Sequence, residues 1–146
     1  MNPLARLAFR FGARRIREHH VEAWRDEQDV EMLALAVADR RSRIRRAAVG
    51  ALGAVGSPEA IAPLRLAMCD RVKSVALAAA SELLSVDDSA APDVAAVEAY
   101  WAARARRKLE APEPVEGKLI ERENLVRFEE FKRKVLAQAG RGQFYG

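Results

Sequence analysis

Asp39-Arg-Arg-Ser-Arg-Ile-Arg-Arg-Ala-Ala-Val-Gly-Ala-Leu52 returns thirty-one residues later as Asp70-Arg-Val-Lys-Ser-Val-Ala-Leu-Ala-Ala-Ala-Ser-Glu-Leu83. Both stretches open on an aspartate followed by basic residues. Ile44, Ala47, Ala48 and Leu52 in the first are matched by Val75, Ala78, Ala79 and Leu83 in the second. That spacing puts the apolar side chains on one face of a helix. The register also runs upstream, where Val30, Leu33 and Val37 match Ile61, Leu64 and Met68. Each copy is therefore predicted to be a pair of helices joined at Asp39 or Asp70. A period of this length marks units that cannot bury their apolar faces alone and must stack on one another.

The punctuation supports the same units. Asp26 is expected to cap the first helix of the first copy, and Ser42 the second. Gly53 and Gly56 loosen the chain between copies. Ser57-Pro58-Glu59 then restarts it with a capping serine, a proline at the first helical position and an acid in the first turn. Composition agrees: half the 146 residues are hydrophobic, many of them Ala, and aromatics make up only 6%, so helix formers dominate strand formers. The chain reads as all-α.

A helix pair of this length, with Gly-Ser-Pro-Glu between units and Asp plus basic residues within them, resembles HEAT repeats. Residues 26–86 are most similar to the short bacterial kind first grouped with the phycobilisome lyases. The resemblance implies a short right-handed α-solenoid of antiparallel helix pairs with capping helices at both ends. In such repeats the turn aspartate commonly pairs with an Arg that follows the first hydrophobic residue of the second helix. Asp39, Ile44 and Arg45 keep that pattern, whereas Asp70 and Val75 are followed by Ala76. Asp70 is therefore expected to take Lys73 or backbone N–H groups, interrupting the ladder. The outer face of the second copy, Ala76, Leu77, Ala80 and Ser81, is nearly all apolar and is expected to be covered by a neighbouring segment or a partner.

Residues 1–17 carry five Arg and no acid among Leu4, Leu7, Phe9, Phe11 and Ile16, the pattern of an amphipathic mitochondrial presequence. The register nonetheless extends faintly back through them. Gly12-Ala-Arg-Arg-Ile16 falls on Arg43–Ala47, and Val21 and Trp24 fall on Leu52 and Val55. An N-terminal cap helix is the expectation. His19 and His20, adjacent on a helix, point about 100° apart and cannot share one ion. No apolar run approaches the ~20 residues of a membrane span. A cytoplasmic protein is expected, with a mitochondrial one as the alternative. The single Cys69 reads as a small buried hydrophobe.

Beyond the repeat, Asp87-Asp88-Ser-Ala-Ala-Pro92 opens a third helix running to about Leu109. Trp101 stands there in place of the next turn aspartate, and Val94, Val97, Trp101 and Tyr100 are expected to face the second copy as a C-terminal cap. Its basic end, Arg104, Arg106, Arg107 and Lys108, suits a helix C-terminus. Residues 1–110 read as one repeat domain and 111–115 as a proline-rich linker. A charged helix and tail occupy 116–146, where Leu125, Phe128, Phe131 and Val135 form a stripe that either folds back or reaches a partner.

No phosphate loop, metal-ligand spacing or nucleophile elbow is present, so neither enzyme nor cofactor is expected. Fold relatives suggest a DNA glycosylase using Trp101, Asp70 and Arg71, or a bilin lyase subunit, without a motif to carry either. The expected function is a non-enzymatic adaptor or scaffold subunit binding another protein within a larger complex. Arg14, Arg15, Arg45 and Arg46 would form a basic stripe bordered by Arg40, Arg41, Arg71 and Lys73. Leu77, Phe128, Phe131, Phe144 and Tyr145 would supply apolar contacts. The alternative places the same stripe on RNA or DNA. A net charge of +4 permits both.

Overall fold

The computed structural model describes residues 3–107 and 115–138, with side chains described for 3–107 and 124–138. Eight α-helices and no strand occur among them: α1 (Pro3–Arg10), α2 (Glu18–Asp26), α3 (Val30–Val37), α4 (Ser42–Val55), α5 (Ile61–Ala67), α6 (Lys73–Val86), α7 (Ala91–Arg107) and α8 (Val115–Gln138). None of them is long and apolar enough to cross a membrane.

The predicted register supplies the core. Leu33, Ile44 and Leu52 and their counterparts Leu64, Val75 and Leu83 are all fully buried, as are Met32 and Met68. α4 packs on α2, α3 and α6; α6 packs in turn on α4, α5 and α7. Each of these central helices is covered on more than one side. This is why Ala76 and Ala80 on the second copy's outer face are buried and Leu77 is half-buried. The covering elements belong to the chain itself, the neighbouring-segment alternative; Ala80 is closed to a partner, while Leu77 keeps part of its surface.

Several helix starts differ from expectation. α3 is capped by Asp29, whose carboxylate accepts from the Met32 N–H at 3.2 Å, while Asp26 ends α2 and pairs with Arg25. Ser42 lies inside α4; the residue before it, Arg41, takes the cap position. Ser57-Pro58-Glu59 opens a short 3-10 turn, Pro58–Ala60, that leads into α5. α4 runs unbroken through Gly53 and ends at Gly56, whose left-handed φ of 62° lets its N–H reach the Leu52 carbonyl.

The N-terminal segment folds as two helices rather than one cap. Gly12, at φ 70°, turns the chain after α1, and residues 11–17 form a connection where the repeat register called for helix. Val21 and Trp24 are nevertheless buried, as the register requires. α1 docks through Phe9, edge-on to Trp24 at 5.2 Å, and through Arg6 to Asp29 and Glu31. His20 stacks on Trp24, and its Nδ1 accepts from the Arg17 N–H at 3.0 Å. Burial lowers the His20 pKa below the ordinary 6.5, and His19, Arg14 and Arg17 add to the shift.

At the other end Val94, Val97 and Trp101 of α7 are buried. Asp87 accepts from the Ser89 N–H ahead of that helix. α8 folds back onto α7 and α5. Phe128, Phe131 and Val135 join the common hydrophobic cluster, with Phe128 stacked on Tyr100 at 4.3 Å. Phe128 and Phe131 are thus internal packing residues and not partner contacts. Phe144, Tyr145, Lys108, Leu109 and linker residues 111–114 lie outside the described residues, while Val115, the last of the expected linker, opens α8.

Candidate anion-binding groove

The turn at Asp39 and the α1–α2 connection meet at one end of α4. Asp39 Oδ1 accepts from the Arg41 N–H at 2.9 Å, closing the turn, and the Arg41 guanidinium grips both oxygens of the same carboxylate at 2.9–3.0 Å. Arg41 Nη2 also donates to the Ile16 carbonyl at 2.6 Å, which ties the turn to the connection ahead of α2. Burial raises the Asp39 pKa, but the Arg41 hydrogen bonds outweigh it and hold the carboxyl below its ordinary value of 3.8.

An open groove of about 560 Å³ lies at this junction, lined by Arg15, Arg17, Arg41, Arg43, Glu18, His19, Glu22 and Ile44. Its four guanidiniums come from two separate segments. Arg41 is held by Asp39, and Arg43 by Glu18 at 2.8 Å. Arg15 and Arg17 are exposed, with no acid within salt-bridge distance among the described residues. α2 and α4 both begin here, and neither cap residue, Arg17 or Arg41, offers its side chain as an acceptor to the first amides. The positive ends of two helix dipoles therefore add to the cationic field. Chemically, the groove is a set of donors suited to an oxyanion.

The predicted stripe is only partly assembled. Arg15 and Arg41 reach the groove. Arg14 sits over the Phe9 ring at 5.6 Å. Arg46 is exposed one turn beyond Arg43 on α4, and Arg40, Arg71 and Lys73 are exposed at or beside the two repeat turns. Arg45 is corrected outright. It is 7% exposed, and its Nε and Nη2 bind Asp70 Oδ2 and Oδ1 at 2.5 and 2.9 Å. Its Nη1 donates to the carbonyls of Asp39 and Arg40 at 3.0 and 3.1 Å.

Asp70 is thereby satisfied by the preceding helix pair, together with the Val72 N–H at 2.8 Å, and the expected role of Lys73 is withdrawn. The ladder runs from an arginine to an aspartate twenty-five residues on. Ala76 and Trp101 have the same separation. The two departures from the repeat thus fall at the two positions that a further bond of this spacing would join.

Arg17, Arg43, Glu18, His19 and Glu22 line the groove without belonging to the stripe expected from the sequence. The faint alignment of Gly12–Ile16 with Arg43–Ala47 includes Arg43 but stops short of Arg17, and it pointed to a cap helix where the structure has the α1–α2 connection. Among the described residues no group of three His, Cys, Asp or Glu side chains could hold a metal. No protein-family model matches the chain, and neither a curated protein nor a solved structure does.

Proposed function

We propose that the chain is a short HEAT-like α-solenoid acting as a non-enzymatic adaptor, which binds an anionic segment of another protein at the arginine groove. The carrying observation is the convergence of Arg15, Arg17, Arg41 and Arg43 on one open cleft, two of them anchored by acids and two not. Exposed Arg40, Arg46, Arg71 and Lys73 extend the cationic surface along the turns. The repeat register and the Arg45–Asp70 bond between successive helix pairs support the solenoid reading, because such bonds fix each unit on the next.

The test is fluorescence anisotropy with a short peptide carrying an acidic cluster and with a mixed RNA pool, each at low and moderate salt. Wild type is expected to bind the peptide, and Arg15→Glu/Arg43→Glu to weaken it by about tenfold or more, the scale of a lost charge-assisted contact. Tighter RNA binding, falling by roughly 0.7 power of salt for each phosphate contacted, would replace the protein reading with a nucleic-acid one.

A further inference from the structure

The acids that share the groove narrow the ligand. Glu18, Glu22 and Asp26 lie one turn apart on a single face of α2, and all three are exposed. Glu18 and Glu22 line the groove itself. A polyanion that continued along α2 would carry its next charges onto this row, where Glu18 and Asp26 are paired with Arg43 and Arg25 and Glu22 would repel them. A single compact anion would not. On the α2 side, therefore, the favoured neighbour of the bound anionic group is neutral or basic.

The donors also have a shape. A carboxylate offers two oxygens in one plane and one charge, whereas a phosphomonoester near neutral pH offers three oxygens and almost two charges. Here guanidiniums enter from two sides, Arg15 and Arg17 from the α1–α2 connection and Arg41 and Arg43 from the head of α4. Arg41 is fixed by Asp39 and the Ile16 carbonyl, and Arg43 by Glu18, so two of the four are preorganised. Arg15 and Arg17 are exposed and make no direct ion pair among the described residues, although Arg15 also lies within the electrostatic reach of Asp39.

Resting on the anion-binding reading above, we propose that the groove receives a phosphorylated serine or threonine of a partner protein, with the phosphoryl group among Arg15, Arg17, Arg41 and Arg43 and an adjacent basic residue of the partner on Glu22. The ligand class is a phosphopeptide with a lysine or arginine beside the phosphate.

The experiment compares four peptides of one sequence by anisotropy: phosphoserine with a flanking lysine, phosphoserine with a flanking glutamate, the unphosphorylated serine form, and glutamate in place of phosphoserine. The phosphoserine–lysine peptide is expected to bind about tenfold tighter than the glutamate substitute, as an added charge-assisted contact would give. Inorganic phosphate should compete with it. Arg15→Gln/Arg17→Gln should abolish the preference, since both residues are exposed and their loss leaves the core intact. Arg104→Gln/Arg106→Gln, the same charge change on α7, should preserve it. Glu22→Gln should erase the lysine preference alone.

Equal binding of phosphoserine and glutamate peptides would overturn the phosphoryl assignment and leave the anion-binding reading standing. Binding of none of the peptides would overturn both. Binding of an RNA oligomer more tightly than the phosphopeptide, lost in the same double variant, would assign the groove to nucleic acid instead.

Discussion

In the first repeat turn Asp39 is held by Arg41, two residues along the same turn; in the second, Asp70 is held by Arg45 from the preceding helix pair. The backbones correspond, each carboxylate accepting the N–H two residues on, from Arg41 or from Val72. The surroundings do not. The side chains of Arg45 and Asp70 are 8% and 7% exposed, whereas Arg41 keeps 30% exposure and lines the groove. The equivalent aspartates are thus bonded across to the preceding helix pair in one copy and to a groove-lining arginine of the same turn in the other. A carboxylate in such a turn takes whichever guanidinium the packing delivers to it.

The largest test of that contrast is to remove each guanidinium. Arg45→Ala strands Asp70 as a buried charge and is expected to cost about 3–5 kcal/mol in urea denaturation. The Arg45→Leu/Asp70→Leu double variant, which removes both charges, should lose less than the single one. An Arg45→Ala cost no larger than that of Arg41→Ala would erase the contrast.

A thiol can report on the covering of each turn. Cys69 precedes Asp70, and burial pushes its pKa up to about 11, with Lys132 of α8 lowering it and Glu129 raising it. Its counterpart in the first turn, Ala38, is exposed. Alkylation of Ala38→Cys in a Cys69→Ser background should exceed that of wild-type Cys69 by on the order of a hundredfold at mildly alkaline pH, following the thiolate fraction. Equal rates would mean that α8 does not cover the second turn.

Arg41→Ala should cost much less than Arg45→Ala, because its partly exposed pair is weakened by solvent. The sharper readout is its effect on the groove, where the Ile16 carbonyl loses its donor and anion affinity should fall with little change in melting temperature.

The smallest expected effects are pH slopes. The folded Asp39 carboxyl titrates below 3.8, so the stabilisation from its clamp is present above that value and is lost as the pH falls through the lower folded pKa. Arg41→Ala should flatten this part of a stability–pH curve. His20 acts in a separate window. Its folded pKa lies below 6.5, so the unfolded chain takes up the proton first. Stability should begin to fall as the pH drops past 6.5, and His20→Gln should remove that slope.

Much of the fold was legible without the structure. Apolar spacing is a local property of a helix, so the register correctly assigned Leu33, Ile44, Leu52, Leu64, Val75 and Leu83 to the core. Helix ends were less legible. Asp26 and Asp29 are both plausible caps, and the one whose carboxylate reaches the Met32 amide is Asp29, a choice made by the chain path between α2 and α3. Gln28 at φ 54° sits in that path in a conformation its residue type rarely adopts and no composition rule anticipates.

The sequence by itself determined that the chain is helical, that two thirty-one-residue units share a register, and which side chains line their interior, because these follow from neighbours within a few turns. Only the tertiary structure decided the fate of the charges and of α8. Arg45 is buried because Asp70 arrives from twenty-five residues away, and Phe128 and Phe131 are buried because α8 returns to α7. Arg15, Arg17, Arg41 and Arg43 share a groove because the α1–α2 connection lies against the head of α4. A charge's role depends on the distance to its partner and on the water left around it, and both are set by packing between segments remote in sequence.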